Sequence, residues 1–205
     1  MKKLLIVVDM QNDFITGTLG SPQARRILPY VKAKIESYKK KGDIVIFTRD
    51  THHDNYLETQ EGKFLPVPHC IMGTEGRLIA SELDVVGCEI FDKPSFGSLT
   101  LAQEVADRVT ADKVDEIELC GLCTDICVVS NALILKAQLP ETTITVDAQS
   151  CAGVTDESHK AALLTMKMCH VNITKEDDIT GEDNITKEND ITGKDAITDE
   201  DNLED

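Results

Sequence analysis

Residues 114–128 read Val-Asp-Glu-Ile-Glu-Leu-Cys-Gly-Leu-Cys-Thr-Asp-Ile-Cys-Val, and this stretch decides the fold. Val114–Cys120 has the length and apolar spacing of a buried strand, while Ile126–Leu139 shows the wider apolar period of a helix. A strand that runs straight into a helix is half of a β-α-β unit. Cys127 falls in the first turn of that helix, where backbone N–H groups converge and the macrodipole favours negative charge. The thiolate is the nucleophilic form of cysteine, so this position makes Cys127 a candidate nucleophile.

The alternation extends in both directions. Strands are predicted at Leu4–Val8, Asp43–Thr48, Cys88–Phe91, Thr143–Asp147 and Val171–Thr174. Between them lie helices at Pro22–Lys41, Leu99–Val109, Thr124–Leu139 and Asp156–Met168. Ser21 is placed to cap the first helix, and Ser98 or Thr100 the second. Such alternation implies an α/β fold with a mainly parallel sheet covered on both faces, a doubly wound sandwich. Ligands bind such sheets outside the carboxyl ends of the strands. Asp9, Lys93 and Cys127 each stand at or just past such an end. A carboxylate, an ammonium and a thiol on one rim supply a base, a cation to hold it ionised, and a nucleophile.

One segment, residues 50–76, shows no clear period. Loops of that length in compact domains are usually functional. This one gathers Asp50, His52, His53, Glu58, Glu61 and His69, a donor set that suits a divalent transition ion such as zinc, iron or manganese. Asp50 and His52 close a strand two residues apart and so point the same way. Pro66-Val67-Pro68 gives His69 a stiff approach.

The stretches "VVDMQNDF" (7–14), "DKPSF" (92–96) and "GLCTDICV" (121–128) together resemble the isochorismatase-like cysteine hydrolases, and within them the nicotinamidase/pyrazinamidase group. The resemblance covers residues 2–173. It implies a six-stranded sheet in the order 3-2-1-4-5-6 and an Asp9-Lys93-Cys127 triad. It also implies a cis Leu122–Cys123 peptide, whose Cys123 N–H would join that of Cys127 in an oxyanion hole. Asp50, His52 and His69 match the family's metal ligands. Glu61 is the first choice for the third position of that set and Glu58 the second, with His53 a surface neighbour. Phe14 and Phe96 would flank a flat substrate ring, although the chain has no tryptophan and only 4% aromatic residues. The activity so implied is hydrolysis of nicotinamide to nicotinate and ammonia through a cysteine thioester, a step of NAD salvage. The alternatives are another family amidase acting on N-carbamoyl or ureido amides, or a non-catalytic binding protein that works through its tail. "VVDMQ" also resembles the opening of a haloacid-dehalogenase-type phosphatase, but Gln11 stands where that chemistry needs an acid.

Composition narrows the partners. The net charge is −16, yet 13 of the 37 acidic residues and only 3 of the 21 basic ones lie from Thr174 onward. The body, residues 1–173, is therefore mildly acidic, which argues against nucleic acid as a partner. No apolar run reaches the length of a membrane span. Seven cysteines without a disulfide-like spacing, and no signal peptide, suggest reduced thiols in the cytoplasm. Cys120, Cys123 and Cys127 lack the fourth ligand a zinc cluster wants. A homo-oligomer is an expectation of the resemblance alone. From Ile173 the chain repeats every six residues (ITKEDD, ITGEDN, ITKEND, ITGKDA, ITDEDN). One isoleucine in six cannot offset the entropy of ordering, so 174–205 is expected to be a disordered acidic tail.

Overall fold

The computed structural model describes residues 2–176. Six parallel strands form one sheet: β1 (Lys2–Val8), β2 (Ile44–Asp50), β3 (Glu89–Lys93), β4 (Val114–Leu122), β5 (Thr143–Ala152) and β6 (Asn172–Thr174). Their order is β3-β2-β1-β4-β5-β6, as the resemblance implies. The helices are α1 (Asn12–Ile15), α2 (Pro22–Lys41), α3 (Gln60–Phe64), α4 (Leu99–Ala111), α5 (Val129–Gln138) and α6 (Asp156–Met168).

The central strand β1 is buried on both faces from Leu4 to Val8, hence its unbroken apolar run. Helix α2 begins where Ser21 accepts the Ala24 N–H at 3.0 Å and Pro22 takes the first turn. It ends at Gly42, whose φ of 76° suits a left-handed cap. Its stripe Ala24, Ile27, Val31, Ile35 and Tyr38 packs on the sheet. Ser98, rather than Thr100, caps α4 by accepting the Leu101 N–H.

The structure departs from the sequence reading in three places. β5 runs five residues past Asp147, because the register with β4 skips from Leu119↔Val146 to Gly121↔Cys151. That bulged stretch, Ala148-Gln-Ser, is too small and polar to look like a strand. The long connection after β2 is partly ordered as single turns at Tyr56–Glu58 and Glu75–Arg77 and as the one-turn helix α3. The helix after β4 opens with a wide π-type turn, Thr124–Val128, in which the Val128 N–H reaches the Cys123 carbonyl. Among the described residues no helix is long and apolar enough to cross a membrane. The expected tail lies, from Asp177 on, outside the described residues.

Candidate active site

The sheet brings three side chains together at its carboxyl edge. β1 and β4 are neighbours, and their register sets Val8 opposite Gly121. A Cβ at Gly121 would lie 2.1 Å from the Val8 carbonyl oxygen, and its φ is 117°. Only glycine allows the two strand ends to approach so closely. Asp9 follows β1 with φ at 49°, a conformation that aspartate tolerates better than most residues. Lys93 ends β3, paired in register with Asp50 at the end of β2.

Lys93 Nζ sits 2.6 Å from Asp9 Oδ2, 3.4 Å from Cys127 Sγ and 3.6 Å from Asp50 Oδ1. It also donates to the Ser95 carbonyl at 3.1 Å. The Lys93 side chain is fully buried, as is that of Asp9. Thr48 fixes Asp9 from the other side: its hydroxyl accepts the Asp9 N–H and donates to Oδ1 at 2.6 Å. Lys93 thus bridges the Asp9 carboxylate and the Cys127 sulfur. The Leu122–Cys123 peptide between strand and turn is cis.

Burial works against the Lys93 charge, but Asp9, Cys127 and Asp50 outweigh it, so Lys93 is held protonated. Burial raises the Asp9 carboxyl, with Asp50 adding to the effect and Lys93 opposing it. Burial and then the Asp9 charge push the Cys127 thiol well above its usual range, against the pull of Lys93. Burial thus works against the helix-start position of Cys127, and the Asp9 carboxylate beside it gains basicity. Cys123 is likewise raised, to about 12, by burial first and then by Asp125 and Asp9.

A second cluster adjoins this one through Asp50. The ligand atoms of Asp50, His52, Glu61 and His69 all lie within 4.8 Å of one another. His52 Nε2 is 2.9 Å from Asp50 Oδ2 and 3.5 Å from Glu61 Oε1; His69 Nε2 is 3.4 Å and 3.7 Å from the same two atoms. Four donors at about 2.1 Å from one ion would stand roughly 3.0–3.4 Å apart, so these residues fit a divalent transition ion. His69 Nδ1 donates to the Val67 carbonyl at 2.8 Å, which orients the ring with Nε2 toward the cluster. Burial opposes the Asp50 charge, but hydrogen bonds from His52 and His69, with Lys93 beyond, hold its carboxyl well below the usual range. Helix α3 delivers Glu61: Thr59 accepts the Gly62 N–H and starts the turn. Glu58 and His53 are exposed and lie outside the cluster.

Phe14 places its ring 5.5 Å from that of His69, on the rim of the cluster. Phe96 is 46% exposed, and its carbonyl accepts from Asn131. Several supporting residues escaped the sequence reading. Buried Gln11 accepts the Asp50 N–H at 2.7 Å and donates to the Asp50 carbonyl at 2.8 Å. Asn131 donates to the Cys127 carbonyl at 2.8 Å. Tyr56 packs against both imidazoles, with ring centroids 4.8 Å and 5.1 Å away. No motif marks these residues. Gln11 acts on a backbone 39 residues away, while Asn131 and Tyr56 act on neighbours four positions off that only the folded turn and loop bring into place.

Known proteins share this architecture. An isochorismatase domain matches residues 3–178. The nicotinamidase/pyrazinamidase of Mycobacterium tuberculosis is 30% identical over 188 residues, spanning 83% of this chain and 97% of that protein. The structure of Pyrococcus horikoshii pyrazinamidase in complex with zinc matches with a TM-score of 0.73 at 28% identity, covering 84% of this chain and 98% of that one. N-carbamoylsarcosine amidase from Thermoplasma acidophilum matches with a TM-score of 0.70 at 25% identity, covering 84% and 95%. The chain belongs to the isochorismatase family, as a hydrolase close to the nicotinamidase/pyrazinamidase group.

Proposed function

We propose that the protein is a nicotinamidase, a cysteine-dependent amidohydrolase that converts nicotinamide and water to nicotinate and ammonia. The observation that carries this reading is the position of Lys93, whose ammonium joins Asp9, Cys127 and the Asp50 end of the metal-ligand cluster. Asp9 takes the Cys127 proton as sulfur attacks the amide carbon. The N–H groups of Cys123 and Cys127 receive the charge that develops on oxygen. Asp9 returns the proton to nitrogen, the C–N bond breaks, ammonia leaves and a thioester remains. Asp9 then deprotonates water, which attacks the thioester; the C–S bond breaks and the thiol is restored. Throughout, Lys93 balances whichever of Asp9 and Cys127 is charged.

Asp50, His52, Glu61 and His69 would hold the divalent ion. When bound, such an ion offers an open coordination position for a ring nitrogen and so orients a pyridine amide. Phe14 and Phe96 would flank the ring. This activity would place the protein in NAD salvage. The likeness to N-carbamoylsarcosine amidase keeps carbamoyl amides as the second substrate class, although that reading leaves the histidine-carboxylate cluster without a task.

The test is ammonia release from nicotinamide by metal-reconstituted protein, beside a chelated sample and Cys127→Ala. Cys127→Ala should lower kcat by about 10⁴-fold or more with metal content unchanged, and chelation should also abolish turnover. Turnover that survives Cys127→Ala would overturn the nucleophile. Absence of turnover in loaded wild type whose Cys127 is still alkylated by iodoacetamide would discard nicotinamide and move the search to carbamoyl amides.

A further inference from the structure

Helix α2 is a basic element in an acidic protein. It holds seven Lys or Arg and a single acid, Glu36, while the chain carries −16. Its apolar stripe is buried, so the charge lies on its flanks and outer face. Arg26, Lys32, Lys40 and Lys41 make no ion pair among the described residues.

Two grooves run along this helix and share Tyr30 as a wall. Arg26 and Lys160 border one; Lys3, Lys34, Lys41 and Lys175 border the other. Lys3 pairs with Glu116, Lys34 with Glu118 and Asp147, and Lys175 with Asp147. The basic surplus along the helix therefore lies in the unpaired Arg26, Lys32, Lys40 and Lys41, with Asp43 and Asp156 as the other carboxylates bordering the grooves.

The chain leaves the sheet at this place. Lys175 lies in the second groove, and the 29 residues from Asp177 to Asp205 follow it with 12 acidic side chains and 2 lysines. A random coil of 29 residues spans about 30 Å root-mean-square. Helix α2, with 20 residues, is also about 30 Å long. Reach and sign of charge thus both match.

We propose that the acidic segment Asp177–Asp205 docks in cis along the basic flank of α2, against the unpaired Arg26, Lys32, Lys40 and Lys41. No regular secondary structure is needed, because carboxylates spaced along the repeat meet cations spaced along the helix. Tethering supplies an effective concentration in the millimolar range, so the segment shields this face from other anionic partners. The proposal is independent of the substrate reading and survives its failure.

Carbodiimide cross-linking of the full chain, with peptides mapped by mass spectrometry, tests it. In the monomer band, links from tail carboxylates to Lys3, Lys32, Lys34, Lys40 or Lys41 should exceed links to exposed Lys63 and Lys113 by about fivefold, and fall by a similar factor in 0.5 M salt as charges are screened. Arg26→Glu combined with Lys32→Glu and Lys41→Glu should remove the preference. Should that variant fold poorly, converting Glu182, Asp183, Glu188, Asp190, Asp195 and Asp199 to their amides should remove it with the body untouched. Links spread evenly over all exposed lysines, or confined to covalent dimers, would overturn the proposal.

Discussion

Asp9 and Asp50 end two parallel strands and share one ammonium, at 2.6 Å and 3.6 Å from Lys93 Nζ, yet they are driven in opposite directions. Asp9 is sealed from water with a single hydroxyl, that of Thr48, as its neutral hydrogen-bond partner. Burial dominates and raises its carboxyl despite Lys93. Asp50 is also buried, but two imidazoles meet its outer oxygen, and its carboxyl is lowered. The same residue type beside the same cation is thus raised in one place and lowered in the other, which suits the first to the proposed proton transfer and the second to a fixed negative charge. What else touches each carboxylate decides the role.

The largest predicted effects come from neutralising these two residues in turn. Asp9→Asn removes the proton acceptor and leaves the ligand cluster whole. It should lower kcat by about 10²–10⁴-fold, as loss of a general base does, with metal content unchanged. Asp50→Asn should instead lose bound metal, measured by elemental analysis, and with it turnover. Joint loss of metal and activity in both variants would collapse the distinction between base and ligand.

Gln11→Ala sharpens the same contrast from the side of Asp50. The Gln11 amide clasps both backbone groups of Asp50 and also donates to the Arg77 carbonyl at 2.9 Å. Outer-shell partners of this kind typically contribute 10–100-fold in metal affinity or activity. A chelator competition assay should show a loss in that range for Gln11→Ala, with the alkylation rate of Cys127 unchanged. An equal fall in alkylation rate would mean that Gln11 supports the whole rim rather than the cluster.

The contrast also has a pH signature in metal-free protein. The folded pKa of Asp50 is depressed, so its contribution is whole above about 3.9 and drains as pH falls below it. Burial opposes the charge on His69, yet Asp50 and the Val67 carbonyl raise its pKa. Its contribution is therefore whole below about 6.5 and drains as pH rises through the folded value. Chelated protein should show thermal stability falling on both sides of a maximum between these values. His69→Gln should remove the alkaline limb and only shrink the acid one, since His52 and Lys93 still hold Asp50. An alkaline limb of unchanged slope in that variant would assign the loss to another group.

The alternation of strands and helices, the cap at Ser21 and the span of α2 were legible because each rests on local pattern: apolar period, cap residue, glycine stop; the sheet order came from the family resemblance, and the α4 cap stayed open between Ser98 and Thr100. Asp9, Lys93 and Cys127 were legible for a related reason, since strand ends announce themselves where an apolar run meets a charged residue. Glu61 was harder to place. Its position depends on α3, a single turn too short to leave a period, and Glu58 lies only one turn away. Gln11, Thr48 and Asn131 were not legible at all. Their partners are 39 residues away for Gln11 and Thr48, and Asn131 serves the Phe96 and Cys127 carbonyls as a polar residue inside a helix that reads as apolar. The protonation state of the nucleophile was also beyond sequence. Helix position favours the thiolate, while the burial seen in three dimensions opposes it.

The smallest predicted effect concerns how the nucleophile turn is held from behind. Asp125 accepts the Val154 N–H at 3.0 Å and the Ser158 hydroxyl. Thr124 Oγ1 meets His159 Nδ1 at 2.7 Å. His159 is 5% exposed, and its Nε2 has no hydrogen-bond partner among the described residues. Burial lowers its pKa in spite of Asp125 and Asp156, so the ring is neutral at pH 7 and the contact with Thr124 is an uncharged hydrogen bond. Thr124→Val strands the Nδ1 atom, and His159→Leu strands the Thr124 hydroxyl. Each should cost about 1–3 kcal/mol, the penalty for a buried polar group left unpaired. The double variant leaves neither group stranded across that contact and should cost less than the sum by about 1 kcal/mol, read from denaturant midpoints. Strict additivity would mean that the turn carrying Cys127 is fixed by Asp125 and the sheet alone.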